Sequence, residues 1–84
     1  MYDIKEHEGY MGVFTRNQCE NAKFQNGSRV VKVWGEPNDA HPLGTKGAIL
    51  GSVGHPEVGN AYFVEWDVKP GVAVLVMEKK LGAE

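Results

Sequence analysis

The sequence predicts an all-β fold, a small barrel or sandwich, and three observations carry that reading. Short runs rich in Val, Ile, Tyr, Phe and Trp, the residues that fit a pleated surface, follow one another from Ser28 onward. Turn chemistry separates them, and eleven glycines in 84 residues are enough for many tight connections. The stretch from Tyr62 to Met77 reads as two strands joined at Lys69-Pro70-Gly71, where Pro presets φ and Gly is free to take φ > 0.

The elements follow in order. Residues 1–26 form a polar leader with scattered apolar groups at Tyr2, Ile4, Tyr10, Met11, Val13 and Phe14. Thr15-Arg16-Asn17-Gln18 matches a capping box, so this part of the leader is either a short helix from Arg16 to about Lys23 or a loop. Asn26-Gly27 is a turn. Ser28 to Trp34 is the first strand, with Val31 and Val33 on one face and Val30, Lys32 and Trp34 on the other. Gly35 to Gly44 is a polar loop. Thr45 to Val53 is the second strand, where Gly47 and Gly51 permit a bend or bulge. After a turn from Gly54 to Asn60, Ala61 to Asp67 is the third strand, with Tyr62, Val64 and Trp66 sharing a side. Val72 to Met77 is the fourth strand, and Glu78 to Leu81 makes a short turn into a final one. The barrel thus occupies residues 27–84, with about five strands and no internal repeats.

The fourth strand is apolar on both faces: Val72, Val74 and Val76 point one way, Ala73, Leu75 and Met77 the other. A strand of a small antiparallel sheet normally has one wet face, so something must cover the second. A domain of this size buries only a modest core, and association with copies of itself is a natural remedy. The net charge of −2 argues against a nucleic-acid footprint. The single cysteine, Cys19, cannot form an internal disulfide, which fits a cytosolic protein. No apolar run approaches the roughly 20 residues of a membrane helix, and no signal peptide is evident.

Gly-Ser-Arg-Val, a long loop, Gly-x-x-Gly-x-Ile-x-Gly, then Tyr-x-Val-Glu and Pro-Gly, in that order, resemble the SH3-like small barrels. The match is greatest to the type II, mobile-element-borne dihydrofolate reductases. It spans about residues 24 to 81 and rests on Phe24, Gly27, Arg29, Val30, Lys32, Gly35, Gly47, Ile49, Gly51, Tyr62, Val64, Glu65, Pro70, Gly71 and Leu81. The SH3-like electron-transport accessory barrels and the nitrile hydratase β-subunit domain are similar at greater distance. The resemblance implies an SH3-like barrel, assembled as a tetramer around a pore in which hydride moves from NADPH to dihydrofolate. The family's pore motif is Val-Gln-Ile-Tyr; this chain has Ala73-Val74-Leu75-Val76 there, and only the pore lysine has a match, Lys32. Without the amide and the hydroxyl, the hydrogen bonds that would orient both ligands are missing. The resemblance therefore implies fold and assembly more than activity, and no cofactor is assigned.

The candidate chemistry is sparse. Lys32, Trp34, Tyr62 and Trp66 are the candidate ligand-binding residues. The three aromatics either build a groove for peptides or flat ligands or fill the core or an interface. Lys32 either pairs with an anionic ligand or is a plain exposed lysine. His41 and His55, with His7 or Asp39, lack a metal-ligand spacing and read as surface histidines. Glu65 and Asp67 alternate on one strand and read as a solvated face. Cys19 has no visible activating partner, and Lys79 and Lys80 look like edge protection. No catalytic or metal site is expected. By analogy with the family, Ala73, Leu75 and Met77 should face inward. Val72, Val74 and Val76 would then form a stripe for self-association as a dimer or tetramer, or be covered by Tyr10, Val13 and Phe14 of the leader. A non-enzymatic module that binds itself, and a small molecule or protein besides, is the first functional expectation. A reductase with a drifted pore is the second.

Overall fold

The computed structural model describes residues 16–57 and 59–84, and the fold is all-β. Strands β1 (Arg29–Lys32), β2 (Lys46–His55), β3 (Gly59–Trp66) and β4 (Val74–Met77) form an antiparallel meander. A single turn of 3-10 helix, Glu78–Lys80, leads into β5 (Leu81–Ala83), which returns to pair with β1. The order β4-β3-β2-β1-β5 is that of an SH3-like small barrel. All five strands, the two edges included, contribute to one cluster: Val30, Ile49, Tyr62, Val64, Trp66, Val76 and Leu81, joined by Phe24. A single sheet can bring both its edges to one core only by curling around it.

The pairing of β2 with β3 sets which residues face that core. Trp66 stands opposite Gly47, Val64 opposite Ile49 and Tyr62 opposite Ser52, with a register shift between Ile49 and Gly51. Leu50 is the extra residue of this bulge. In a regular strand Ile49 and Ser52, three residues apart, would point to opposite faces, because the side-chain period is two. The bulge turns them to the same face, and both are buried, as are their partners Val64 and Tyr62. Gly47 is required where it stands. A Cβ there would lie 2.7 Å from the Glu65 carbonyl oxygen and 2.9 Å from Cε3 of Trp66. The third-strand reading, Tyr62, Val64 and Trp66 on one side, holds, and all three are buried.

One expectation is corrected. The phase of β4 is the reverse of the one predicted. Val76 lies opposite Tyr62 and Val74 opposite Val64. Cross-strand partners share a face, so both valines turn inward. Val76 is buried and Val74 packs against the core, whereas Leu75 is 55% exposed and Val72, ahead of the strand, 46%. For residues 16–23 the structure takes the loop alternative, with turns and no helix. Their backbone is instead bonded to the sheet. Ser52 N–H donates to the Asn17 carbonyl and Asn17 Nδ2 to the Ser52 carbonyl, while Cys19 N–H donates to Ser52 Oγ. This part of the leader is no loose appendage, since Phe24 is 5% exposed within the core. Tyr10, Val13 and Phe14, the alternative cover for β4, lie outside the described residues, as do His7 and the Thr15 cap.

The connection from β3 to β4 follows its turn chemistry. Val72 N–H donates to the Lys69 carbonyl across Pro70-Gly71, and Gly71 has φ +83°. That is a type II turn, with Pro at its second position and Gly at its third.

The Gly47→Ala variant should lose about 1–3 kcal/mol of stability, the usual range for forcing extra volume into a packed interior. Urea unfolding of the two proteins measures it. A variant as stable as wild type would mean that Trp66 does not pack on Gly47 as described.

Candidate functional site

Lys32 follows Val30 on the core-facing side of β1, and it is 5% exposed. A lysine so placed must either lose its charge or bring a partner inside. The loop after β1 supplies the partner. Asp39 N–H donates to the Glu36 carbonyl across Pro37-Asn38, and Glu36 N–H donates to Asp39 Oδ2 at 3.0 Å. Proline at the second position suits this turn, and the reciprocal bonds fix the carboxylate. Lys32 Nζ then lies 3.0 Å from Asp39 Oδ2 and donates to the His41 carbonyl. Lys80, at the end of the 3-10 turn, reaches the same carboxylate with Nζ 3.1 Å from Oδ2. Lys32, the Glu36 amide and Lys80, in that order of effect, hold the Asp39 carboxyl down to about 2, well below the usual carboxylate range.

This triad sits in a cleft of about 350 Å³, whose lining includes His41, Trp66, Lys69, Val74, Leu75 and Met77. The His41 and Trp66 rings are 5.8 Å apart between centroids and tilted by 48°. Of the four candidate ligand-binding residues, the cleft therefore unites Lys32 and Trp66. It leaves out Tyr62 and Trp34. Tyr62 is fully buried on the other side of Val64, edge-on to Phe24 with centroids 5.4 Å apart. Its hydroxyl accepts from the Lys23 N–H at 2.8 Å and the Phe24 N–H at 3.3 Å and donates to Glu78 Oε1. Burial, then the adjacent Glu78, raises the Tyr62 phenol, while the hydrogen bond from Tyr62 lowers Glu78. Trp34 lies beyond the end of β1 and is 44% exposed, with Lys79 Nζ 4.7 Å from its ring centroid. The three aromatics make no common groove, because each is engaged in a different contact.

Lys32 is also corrected: it is neither plainly exposed nor an unclaimed cation. Its inward phase on β1 was the signal that an acidic partner had to exist, and Asp39 is the acid in the next loop. Lys80 is a second cation of the cluster as well as a charge before the edge strand. Asp67 is exposed and pairs with Arg29, whose guanidinium lowers it; Arg29 is raised in turn. Glu65 accepts from the Gly71 N–H at 2.7 Å. These two acids therefore brace β1 and the β3–β4 turn separately. Among the described residues no cluster of three or more His, Cys, Asp or Glu side chains could hold a metal ion. Among them, too, no helix is long and apolar enough to cross a membrane.

Asp39→Asn and Lys32→Met should have unequal effects. Asp39→Asn leaves a buried ammonium without its counter-charge, so the denaturation midpoint at neutral pH should fall clearly. Lys32→Met leaves Asp39 paired with Lys80 and fills the same space with an apolar stem, so the midpoint should move little. Because folding depresses Asp39, its contribution is complete above the ordinary range, near pH 4, and is lost as pH falls through about 2. The gap between wild type and Asp39→Asn should close over that interval. A larger loss in Lys32→Met than in Asp39→Asn would contradict the assignment.

No protein-family model matches this chain, and neither a curated protein nor a solved structure matches it.

Proposed function

We propose that this protein is a non-enzymatic SH3-like module that self-associates, as a dimer or tetramer, and offers the Lys32–Asp39–Lys80 cleft to a ligand. The observation that carries self-association is Leu75. It stands 55% exposed on an edge strand, directly opposite Phe63, on the face turned away from the core. From Val72 to Met77 the chain has no charged residue. Edge strands normally carry lysines, prolines or bulges that discourage pairing, and β4 has none of these. Among the described residues, β4 pairs with β3 alone. A second copy laid against this edge would cover Leu75 and Val72, each worth roughly 1.5–3 kcal/mol on full burial before association costs. A two-fold axis would repeat that gain on both copies. The interface thus keeps the predicted strand and Val72 but exchanges inward-facing Val74 and Val76 for Leu75.

Light scattering on wild type and Leu75→Lys tests this reading. Leu75 lies outside the core cluster, so the substitution should leave the fold intact. Wild type should be an oligomer at high micromolar concentration, and the variant should shift towards monomer by at least tenfold in dissociation constant. A wild-type monomer, or a variant of unchanged mass, overturns the proposal.

The resemblance to the type II reductases supports the fold and the assembly. The cleft gives their chemistry little support: Val74 and Val76 offer no hydrogen bond, and the Lys32 ammonium is already held by Asp39 and the His41 carbonyl. Pure protein should therefore show no NADPH-dependent reduction of dihydrofolate above the uncatalysed rate. Measurable turnover, followed by NADPH absorbance, would restore the reductase reading.

A further inference from the structure

The cleft beside β4 carries an uneven charge. Lys32 and Lys80 share a single carboxylate, so one positive charge remains at its floor. Lys69, also in the lining, has no ion-pair partner among the described residues. This positive pocket belongs to a chain whose net charge is −2. Charge of one sign in a walled cleft raises the local concentration of the opposite ion. Each ammonium also has three donor positions. Asp39 and the His41 carbonyl account for two on Lys32, and among the described residues the Lys80 ammonium donates to Asp39 and lies 6.0 Å from the Trp34 ring centroid. The remaining walls are apolar or aromatic: Trp66, Val74, Leu75 and the His41 ring. A bare inorganic ion would leave those walls in water, and a neutral ring would leave the ammonium donors unmatched.

We propose that this cleft binds a small planar organic carboxylate, its charged end meeting Lys80 and Lys69 and its flat body lying along Trp66 and Val74. The inference rests on reading the chain as a ligand-binding module. Lys80 is the discriminating residue. It touches the anion directly, whereas Lys32 holds Asp39 and the loop in place beneath it. The carboxylate end is favoured by charge-assisted hydrogen bonds, which are about twice as strong as neutral ones.

The probes are 2-naphthoate, its neutral isostere 2-naphthamide and inorganic phosphate, each titrated into ¹⁵N-labelled protein. The Trp66 indole N–H is the reporter, told apart from that of Trp34 with Trp34→Phe. Naphthoate should shift the Trp66 resonance saturably, at least tenfold more tightly than naphthamide or phosphate. Lys80→Gln should weaken naphthoate at least fivefold and leave naphthamide unchanged, and Lys69→Gln should act in the same direction. The dispersion of the amide spectrum shows whether each variant is folded. Equal affinity for naphthoate and naphthamide would make this an apolar cleft without anion recognition and overturn the proposal. So would phosphate binding as well as naphthoate, no saturable shift in wild type, or naphthoate affinity unchanged in folded Lys80→Gln. Repeating the titration on Val72→Lys, whose side chain is exposed and outside the cleft lining, separates the two readings, since loss of the oligomer with naphthoate affinity kept would leave the anion site standing.

Discussion

The structure depends on the register of β3 against its two neighbours. Once Trp66 is set on Gly47 and the Leu50 bulge has turned Ser52 back towards the interior, Tyr62, Val64 and Trp66 must all face inward. The pairing with β4 then carries Val74 and Val76 to the same side, and Leu75 to the other. A one-residue slip would exchange the buried and exposed sets on both hairpins. The constraint is steric as much as hydrophobic: an indole needs the space that only a residue without Cβ leaves open. The inward Trp66 and Val74 of the cleft and the exposed leucine are consequences of that one alignment.

Two buried polar arrangements complete a core too small to close with apolar groups alone. On one side, the Tyr62 hydroxyl oxygen accepts from the Lys23 and Phe24 N–H groups, so a loop with no ladder of its own still has these two donors matched. On the other, Lys32 brings Asp39 and the whole Gly35–Gly44 loop down onto the open end of the barrel. The first adds the leader to the hydrophobic core; the second gives the barrel a charged mouth. Both rely on full pairing, and among the described residues no buried side-chain nitrogen or oxygen lacks a partner.

Much of the fold was legible because strands and turns are local. Alternation placed Tyr62, Val64 and Trp66 together, Gly51 marked the bulge, and Pro70-Gly71 marked the turn. What failed was what depends on pairing between strands. An apolar run on both faces, as in Val72–Met77, holds no internal record of which face is inside; the opposite strand decides. Trp34 continues the inward phase of Val30 and Lys32 on paper, but β1 ends at Lys32, and the N–H groups of Val33 and Trp34 both turn to the Lys80 carbonyl ahead of β5. Of the two readings of residues 16–23, the loop prevailed over the helix, because Asn17 and Cys19 find partners on Ser52 that a short isolated helix could not match. The cleft was half legible. Lys32 and Trp66 could be named from β-strand phase, whereas Asp39 and Lys80 meet only through loop closure.

The last strand has a temporal meaning. β5 pairs with β1 through Val30–Ala83, Val31–Gly82 and Lys32–Leu81, and Leu81 is a core residue. β1 to β4 can assemble in the order of synthesis, each hairpin closing a short loop. The final pairing joins segments some fifty residues apart, and such closures are slow because their entropy must be overcome before any contact forms. Until residues 81–83 dock, the flank of β1 that receives them stays open and Lys80 has not reached Asp39. At that stage the sheet ends at β1 and β4; once closed, it ends at β5 and β4. Closure therefore exchanges one edge for a shorter one, the four residues of β1 for the three of β5.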